Sequence, residues 1–188
     1  METALTDFDI REIIRKYNRA PKYNITLVTA NNKILDRLLT NQVELAIIHY
    51  ESKKTDRGVG GHWCCMIVDN PKKNIWFFDS YGMYPDDSLK VIPMEYREMT
   101  GQVYPDIKIW LTQQKRKQFH IEYNHYEFQE FVEGVNTCGR WVGYFMRLFK
   151  GQSNYIENFK HHMDITKKNL GLSYDETIVV VTEKYLRV

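Results

Sequence analysis

A chain of 188 residues with 43% apolar and 14% aromatic side chains fits one folded domain that buries roughly 70% of its unfolded surface, which excludes intrinsic disorder. Its formal charge of +2 is too small to demand a nucleic-acid partner. Apolar runs such as ELAIIHY and TIVVV fall far short of the ~20 residues of a membrane helix, so no membrane association is expected.

The N-terminus, METALTDFDIREII, is acidic where a signal peptide would be basic, and a soluble, non-secreted protein is expected. From Thr6 to Tyr17 the spacing of Phe8, Ile10, Ile13, Ile14 and Tyr17 predicts a helix capped by Thr6 or Asp7. NITLVTA reads as a short strand, NKILDRLL as a helix and QVELAIIHY as a second strand. GHWCCMIVD and NIWFFDSYG form a hairpin around DNPKKN. Asp86 to Thr100 is helical or irregular, interrupted by Pro93. DIKIWLT reads as a strand, and QFHIEYNHYEF as extended. Helices follow from about Asn136 to Lys150 and from Ser153 to Leu170, each with a glycine just beyond its end. ETIVVVTEKYL closes the chain as a strand. Strands in the middle and helices at both ends indicate an α+β fold, a single domain over 1–188 with a central mixed sheet.

The hairpin brings two reactive residue types together. Pro71 suits a four-residue turn from Asn70 to Lys73, which sets Asp79 opposite Cys64 and diagonal to His62. A two-residue loop would set Asp79 directly opposite His62. Both registers put His62 and Asp79 on one face, close enough for a carboxylate to hydrogen-bond an imidazole; a five-residue loop without a bulge would separate them. Asp79 also ends the apolar run IWFF, where its charge needs partners or water.

A third residue stands at a helix start. In EGVNTCGRWVGYFMRLFKG, Asn136 or Thr137 can cap and Cys138 falls in the first turn. Trp141, Tyr144, Phe145 and Leu148 form the apolar stripe. Backbone N–H groups and the helix dipole there favour a thiolate, and an imidazolium beside it would give an activated Cys–His pair. Gly139 leaves room for a substrate near the sulfur. The same N–H groups could hold an oxyanion. Cys64 and Cys65 lie mid-strand and are assigned to packing; three cysteines in no framework spacing point to a reducing compartment.

The order His62, Asp79, Cys138, with GGHW before the first, FFDSYG around the second and NTCGRWVGYF around the third, resembles the adenain-like cysteine proteases of clan CE. Small size and composition bring the resemblance closest to the maturation proteases of adenoviruses and of virophage or Polinton-type elements. The resemblance implies an adenain-like fold, Cys138 as nucleophile, His62 as general base and then acid, and Asp79 orienting His62. Trp63 matches an aromatic flanking the histidine. Gln129 matches the family's oxyanion-donating glutamine, slightly farther upstream than its usual place. The implied activity is a thiol endopeptidase processing capsid or other virion precursors, in the virion and in the host-cell cytoplasm. Viral DNA or an activating peptide are implied partners. A protease or isopeptidase for ubiquitin-like modifiers, an acetyltransferase and a non-catalytic binding module remain alternatives.

The basic clusters Lys115 to Lys117 and Lys160, His161, His162, Lys167 and Lys168 read as solvated faces that would permit DNA contact. His62 and Cys64 with His49 could suggest a metal site, but no second ligand pair at zinc spacing is present. GVGGHW lacks the lysine and helix of a phosphate loop. No metal and no cofactor is expected.

Overall fold

The computed structural model describes residues 4–15, 23–28, 32–55 and 58–186. Helix α1 (Asp7–Arg15) is followed by β1 (Asn24–Val28), the short α2 (Asn32–Leu35) with a 3-10 turn (Asp36–Leu38), β2 (Val43–Thr55), β3 (Gly58–Asp69) and β4 (Asn74–Asp79). A second 3-10 turn (Asp87–Val91) leads to α3 (Met94–Thr100), α4 (Asp106–Arg116) and β5 (His120–Tyr123). The chain then runs through α5 (Cys138–Leu148), α6 (Tyr155–Leu170) and α7 (Tyr174–Leu186).

The five strands lie in chain order in one mixed sheet. β1 pairs parallel with β2, β2 and β3 antiparallel, β3 and β4 antiparallel, and β4 parallel with β5. This is the α+β architecture that the sequence indicates. Alternation along the strands feeds two cores. Trp63, Cys65, Ile67, Trp76 and Phe78 meet α1, α5, α6 and α7. Cys64, Met66, Val68, Ile75 and Phe77 meet Leu35, Leu89, Ile107, Trp110 and Leu111 on the other face.

The β3–β4 turn sets the register as the four-residue loop requires: Lys73 N–H donates to the Asn70 carbonyl at 3.2 Å, Asp69 pairs with Asn74, and Cys64 with Asp79. At α1, the Thr6 hydroxyl accepts from Asp9 N–H at 3.3 Å while Asp9 Oδ2 accepts from Thr6 N–H at 2.9 Å, a reciprocal cap. Ile10, Ile13 and Ile14 are buried as their spacing requires, but Phe8 is 68% exposed. Tyr17 and the end of NITLVTA lie outside the described residues. Gly171 closes α6 at φ 68°. Gly151, expected just past α5, also has positive φ, although α5 itself stops at Leu148, with Phe149 already extended.

Two expected strands are helices. DIKIWLT forms most of α4, where Ile107, Trp110, Leu111 and Gln114 are buried, a spacing of three, four and seven that belongs to a helix. ETIVVVTEKYL forms α7, where Thr177, Ile178, Thr182 and Tyr185 are buried. Its β-branched run imitates a strand, but Ser173 and Glu176 cap each other's N–H groups at 3.2 and 2.8 Å, the S-x-x-E signature of a helix start. QFHIEYNHYEF is a strand only from His120 to Tyr123.

Candidate active site

His62 sits toward the rim of β3, where β2 makes a register shift between Glu51 and Lys53. A Cβ on the preceding Gly61 would fall 2.1 Å from the Tyr50 carbonyl oxygen and 2.7 Å from His49 Nε2. Only glycine admits so close an approach of the two strands. The ring Nε2 lies 3.0 Å from Asp79 Oδ2, with side-chain exposures of 14% and 1%. The expected pairing of these two residues is present, across one diagonal of the hairpin.

Asp79 is pinned on every side. Oδ1 accepts from Tyr81 N–H at 2.7 Å, Oδ2 accepts from Cys64 Sγ–H at 3.0 Å as well as from His62, and its backbone carbonyl accepts from Asn124 Nδ2 at 2.6 Å. A buried carboxylate with this many donors is satisfied without solvent. The assignment of Cys64 to packing is therefore incomplete. It is fully buried, but its thiol is also a donor to the carboxylate facing it across the strands.

Cys138 opens α5 and lines the same cleft as His62. Burial by itself disfavours the imidazolium of His62. The charge and hydrogen bond of Asp79, joined by those of Cys138, outweigh it and raise the ring to about 10, so His62 carries its proton at neutral pH. Thr137 occupies the N-cap position without a side-chain cap bond to the helix. Its hydroxyl donates instead to Asp175 Oδ1, so no side chain from that position covers the first-turn N–H groups beside the sulfur. Asp175 Oδ1 also accepts from Trp141 Nε1 at 3.4 Å, and Oδ2 from Glu130 N–H at 2.9 Å. One carboxylate of α7 thus ties down the segments on either side of the nucleophile position.

Gln129 is 1% exposed and lines the same cleft of ≈ 160 Å³ as Gly61, His62, Tyr81, Asn136 and Cys138. Its Nε2 donates to Tyr81 Oη at 3.1 Å and to the Val135 carbonyl at 3.0 Å, and its Oε1 accepts from Ser80 at 2.8 Å. The Tyr81 ring stacks on His62 with centroids 4.6 Å apart. Burial, then the charges of Cys138 and Asp79, push the Tyr81 hydroxyl well up, so it stays a neutral donor and acceptor.

Gly139 has a different use from the expected one. A Cβ there would meet Leu5 Cβ at 3.0 Å and Ile10 at 3.4 Å, so the missing side chain admits α1 against α5. The suggested His49, His62 and Cys64 metal grouping does not form. His49 points to the opposite sheet face, stacked on Trp63 at 3.9 Å. Trp63 Nε1 in turn donates to the Leu5 carbonyl at 3.0 Å. The ligand atoms of His62, Cys64 and Asp79 lie within 4.8 Å of one another, but the carboxylate oxygen at their centre already receives the N–H and the S–H. All three cysteines are free and buried. Among the described residues no helix is long and apolar enough to cross a membrane.

A family model described as the Ulp1 protease family, C-terminal catalytic domain, matches residues 13–179, a span that holds His62, Asp79, Gln129 and Cys138. The chain belongs to the Ulp1 protease family. Membership makes it a cysteine protease, a hydrolase of protein substrates, in accord with the clan CE resemblance of its motifs. The "Uncharacterized protein V9" of Sputnik virophage is 32% identical over 181 residues, covering 96% of this chain and 95% of that protein. Among solved structures, the Chlamydia trachomatis effector ChlaDUB1 is 15% identical, with 90% of this chain and 68% of that chain covered at a TM-score of 0.35. Cdu1 of the same organism, solved bound to ubiquitin, is 17% identical, with 87% and 76% covered at 0.31.

Sequence reasoning missed four residues at the site of this Ulp1-family chain. Cys64 was legible from the register that sets it opposite Asp79, and Tyr81 lies inside the quoted FFDSYG. Asp175 follows from recognising the S-x-x-E cap of α7. Asn124 carries no local signal.

Proposed function

We propose that this Ulp1-family chain is an endopeptidase that matures virion precursor proteins through an acyl-enzyme on Cys138. The observation that carries the reading is the His62 ring, hydrogen-bonded to Asp79 and lining one cleft with Cys138 at the start of α5. The Cys138 sulfur attacks the scissile carbonyl carbon, and the carbonyl π pair moves onto oxygen. First-turn N–H groups of α5 stabilise that oxyanion, with Gln129 as a further donor once its amide leaves Tyr81 or Val135. The C–N bond breaks as His62 gives its proton to the leaving amine. Neutral His62 then takes a proton from water, the hydroxide equivalent attacks the thioester, and the C–S bond breaks. The proton on His62 restores the resting imidazolium beside the sulfur. Asp79 keeps the ring oriented and stabilises its charge throughout.

Similarity to a virophage protein over nearly the whole chain fits a viral protein; capsid or other virion precursors as substrates, cleaved in the virion and the host-cell cytoplasm, follow from the adenain-like resemblance of the motifs. By the adenovirus resemblance, viral DNA or a short peptide is the class of activator to add. The deciding experiment co-expresses a virophage capsid precursor with the wild-type chain or with Cys138→Ala and reads the precursor by mass spectrometry. Cleavage that requires Cys138 is expected. Intact precursor, together with a covalent adduct to a ubiquitin-like probe bearing a C-terminal electrophile, would overturn the maturation reading.

A further inference from the structure

We propose that Cys64 is a positioning residue for the protease reaction, its S–H sharing Asp79 Oδ2 with the His62 ring and so setting how strongly the carboxylate holds the imidazolium. The inference rests on the proteolytic reading above. Cys64 lies opposite Asp79 in the β3–β4 register, so the bond is built into the hairpin. Sγ is 3.0 Å from Oδ2, the same oxygen that lies 3.0 Å from His62 Nε2. Both partners are essentially sealed from solvent, at 0% and 1% exposure. In such a place a donor to a carboxylate has no water to replace it.

Burial first, then the Asp79 charge and hydrogen bond, hold the Cys64 thiol far on the protonated side, so it donates at every working pH. A hydrogen bond to a carboxylate withdraws charge from it. Cys64 therefore weakens the pull of Asp79 on the His62 proton. That matters most in deacylation, where His62 must be neutral to take a proton from water. The ionisable groups coupled to the carboxylate are His62 and Cys64 from β3 and Tyr81, with Cys65 acting through the sheet from its other face, and Cys138 of α5 acts on His62, Cys64 and Tyr81. His49 of β2, on the other side, feels the charge of His62 and is lowered by burial and by that charge, so it is neutral at working pH.

The test compares wild type, Cys64→Ala, which removes the donor, and Cys64→Ser, which keeps one. With a cleavable peptide or precursor, Cys64→Ala should lose about three- to tenfold in kcat at neutral pH, the range of an ordinary net hydrogen bond, because a thiol is a weak donor. kcat/KM should change little, acyl-enzyme should accumulate, and the alkaline limb of the Cys138 alkylation profile should move to higher pH. Cys64→Ser should restore kcat, the acyl-enzyme level and the alkylation profile. If Cys64→Ala merely melts at lower temperature, with kcat and alkylation profile unmoved, Cys64 is packing and the inference fails. If wild type cleaves nothing and Cys138 alkylates no faster than a free thiol, the proteolytic reading fails instead.

Discussion

The Tyr81 ring lies over the His62 imidazole, centroids 4.6 Å apart and planes 25° from parallel, while its hydroxyl receives the Gln129 amide. One side chain thus faces an imidazolium with its π surface and holds the candidate oxyanion donor with its oxygen. Tyr81→Phe keeps the stack and loses the hydroxyl; kcat/KM is expected to fall roughly two- to tenfold, the range of one neutral hydrogen bond. Tyr81→Ala loses both and should fall further. Equal effects in steady-state assays would show that the hydroxyl contributes nothing.

His62 raised to about 10 in the folded chain, against ~6.5 unfolded, couples stability to pH. The folded state holds the proton more tightly, so this stabilisation is fully present below about 6.5 and is lost as pH rises through about 10. Each tenfold difference in proton affinity between the two states is worth ~1.4 kcal/mol. Melting temperature should decline over that window in wild type and decline less in His62→Ala. Parallel curves for the two proteins would refute the coupling.

His49 has the opposite sign. Burial, then the charge of His62, lower it to about 4, against a smaller raising effect of Asp7. The unfolded chain binds this proton first, so folding loses stability as pH falls from about 6.5 to about 4. His49→Phe preserves an aromatic on Trp63 and removes the titration. Its urea midpoint should be less sensitive to acid than that of wild type; an identical acid response would rule His49 out.

α1 sits against α5 because Gly143 lacks a side chain: a Cβ there would lie 2.9 Å from Ile13 Cβ and 3.0 Å from its Cγ2. Gly143→Ala should cost about 1–3 kcal/mol from overpacking, partly offset by ~1 kcal/mol of helix propensity. Gly101, with nothing near its would-be Cβ but a φ of 72°, separates backbone strain from crowding. Denaturant unfolding that shows Gly143→Ala to be neutral would mean that α1 shifts freely.

Asp175 joins Thr137, Trp141 and Glu130 and so ties the residue before Cys138 to the residue after Gln129. Asp175→Asn keeps the shape and loses the charge-assisted bonds, worth ~1.5–3 kcal/mol. kcat is expected to drop more than the midpoint of unfolding predicts, because both arms of the site loosen. A melting shift with unchanged kcat would assign Asp175 to stability alone.

Much of the site is local and therefore legible. The DNPKKN turn fixes the hairpin register, and the register puts His62 and Asp79 on one face whatever happens elsewhere. The reciprocal caps at Thr6 with Asp9 and at Ser173 with Glu176 are likewise written within four residues. The α4 segment is different. Its Lys108 N–H is capped at 2.7 Å by Asp86, a residue whose arrival depends on the intervening chain, and Ile107 and Ile109 alternate as a strand would until Trp110 and Leu111 are counted.

By itself the sequence determined the types and order of the three reactive residues, the turn between two of them and the helix start carrying the third, because turn chemistry, side-chain alternation and end caps act between near neighbours. Only the tertiary structure decided that the third residue reaches the other two, that Gly139 and Gly143 serve the α1 contact, and that the β-branched run of α7 is helical. Those outcomes depend on which surfaces meet: burying Ile178 and Thr182 against the core outweighs weak local propensity, and the donor on Asp79 from Cys64 exists only once two strands lie side by side.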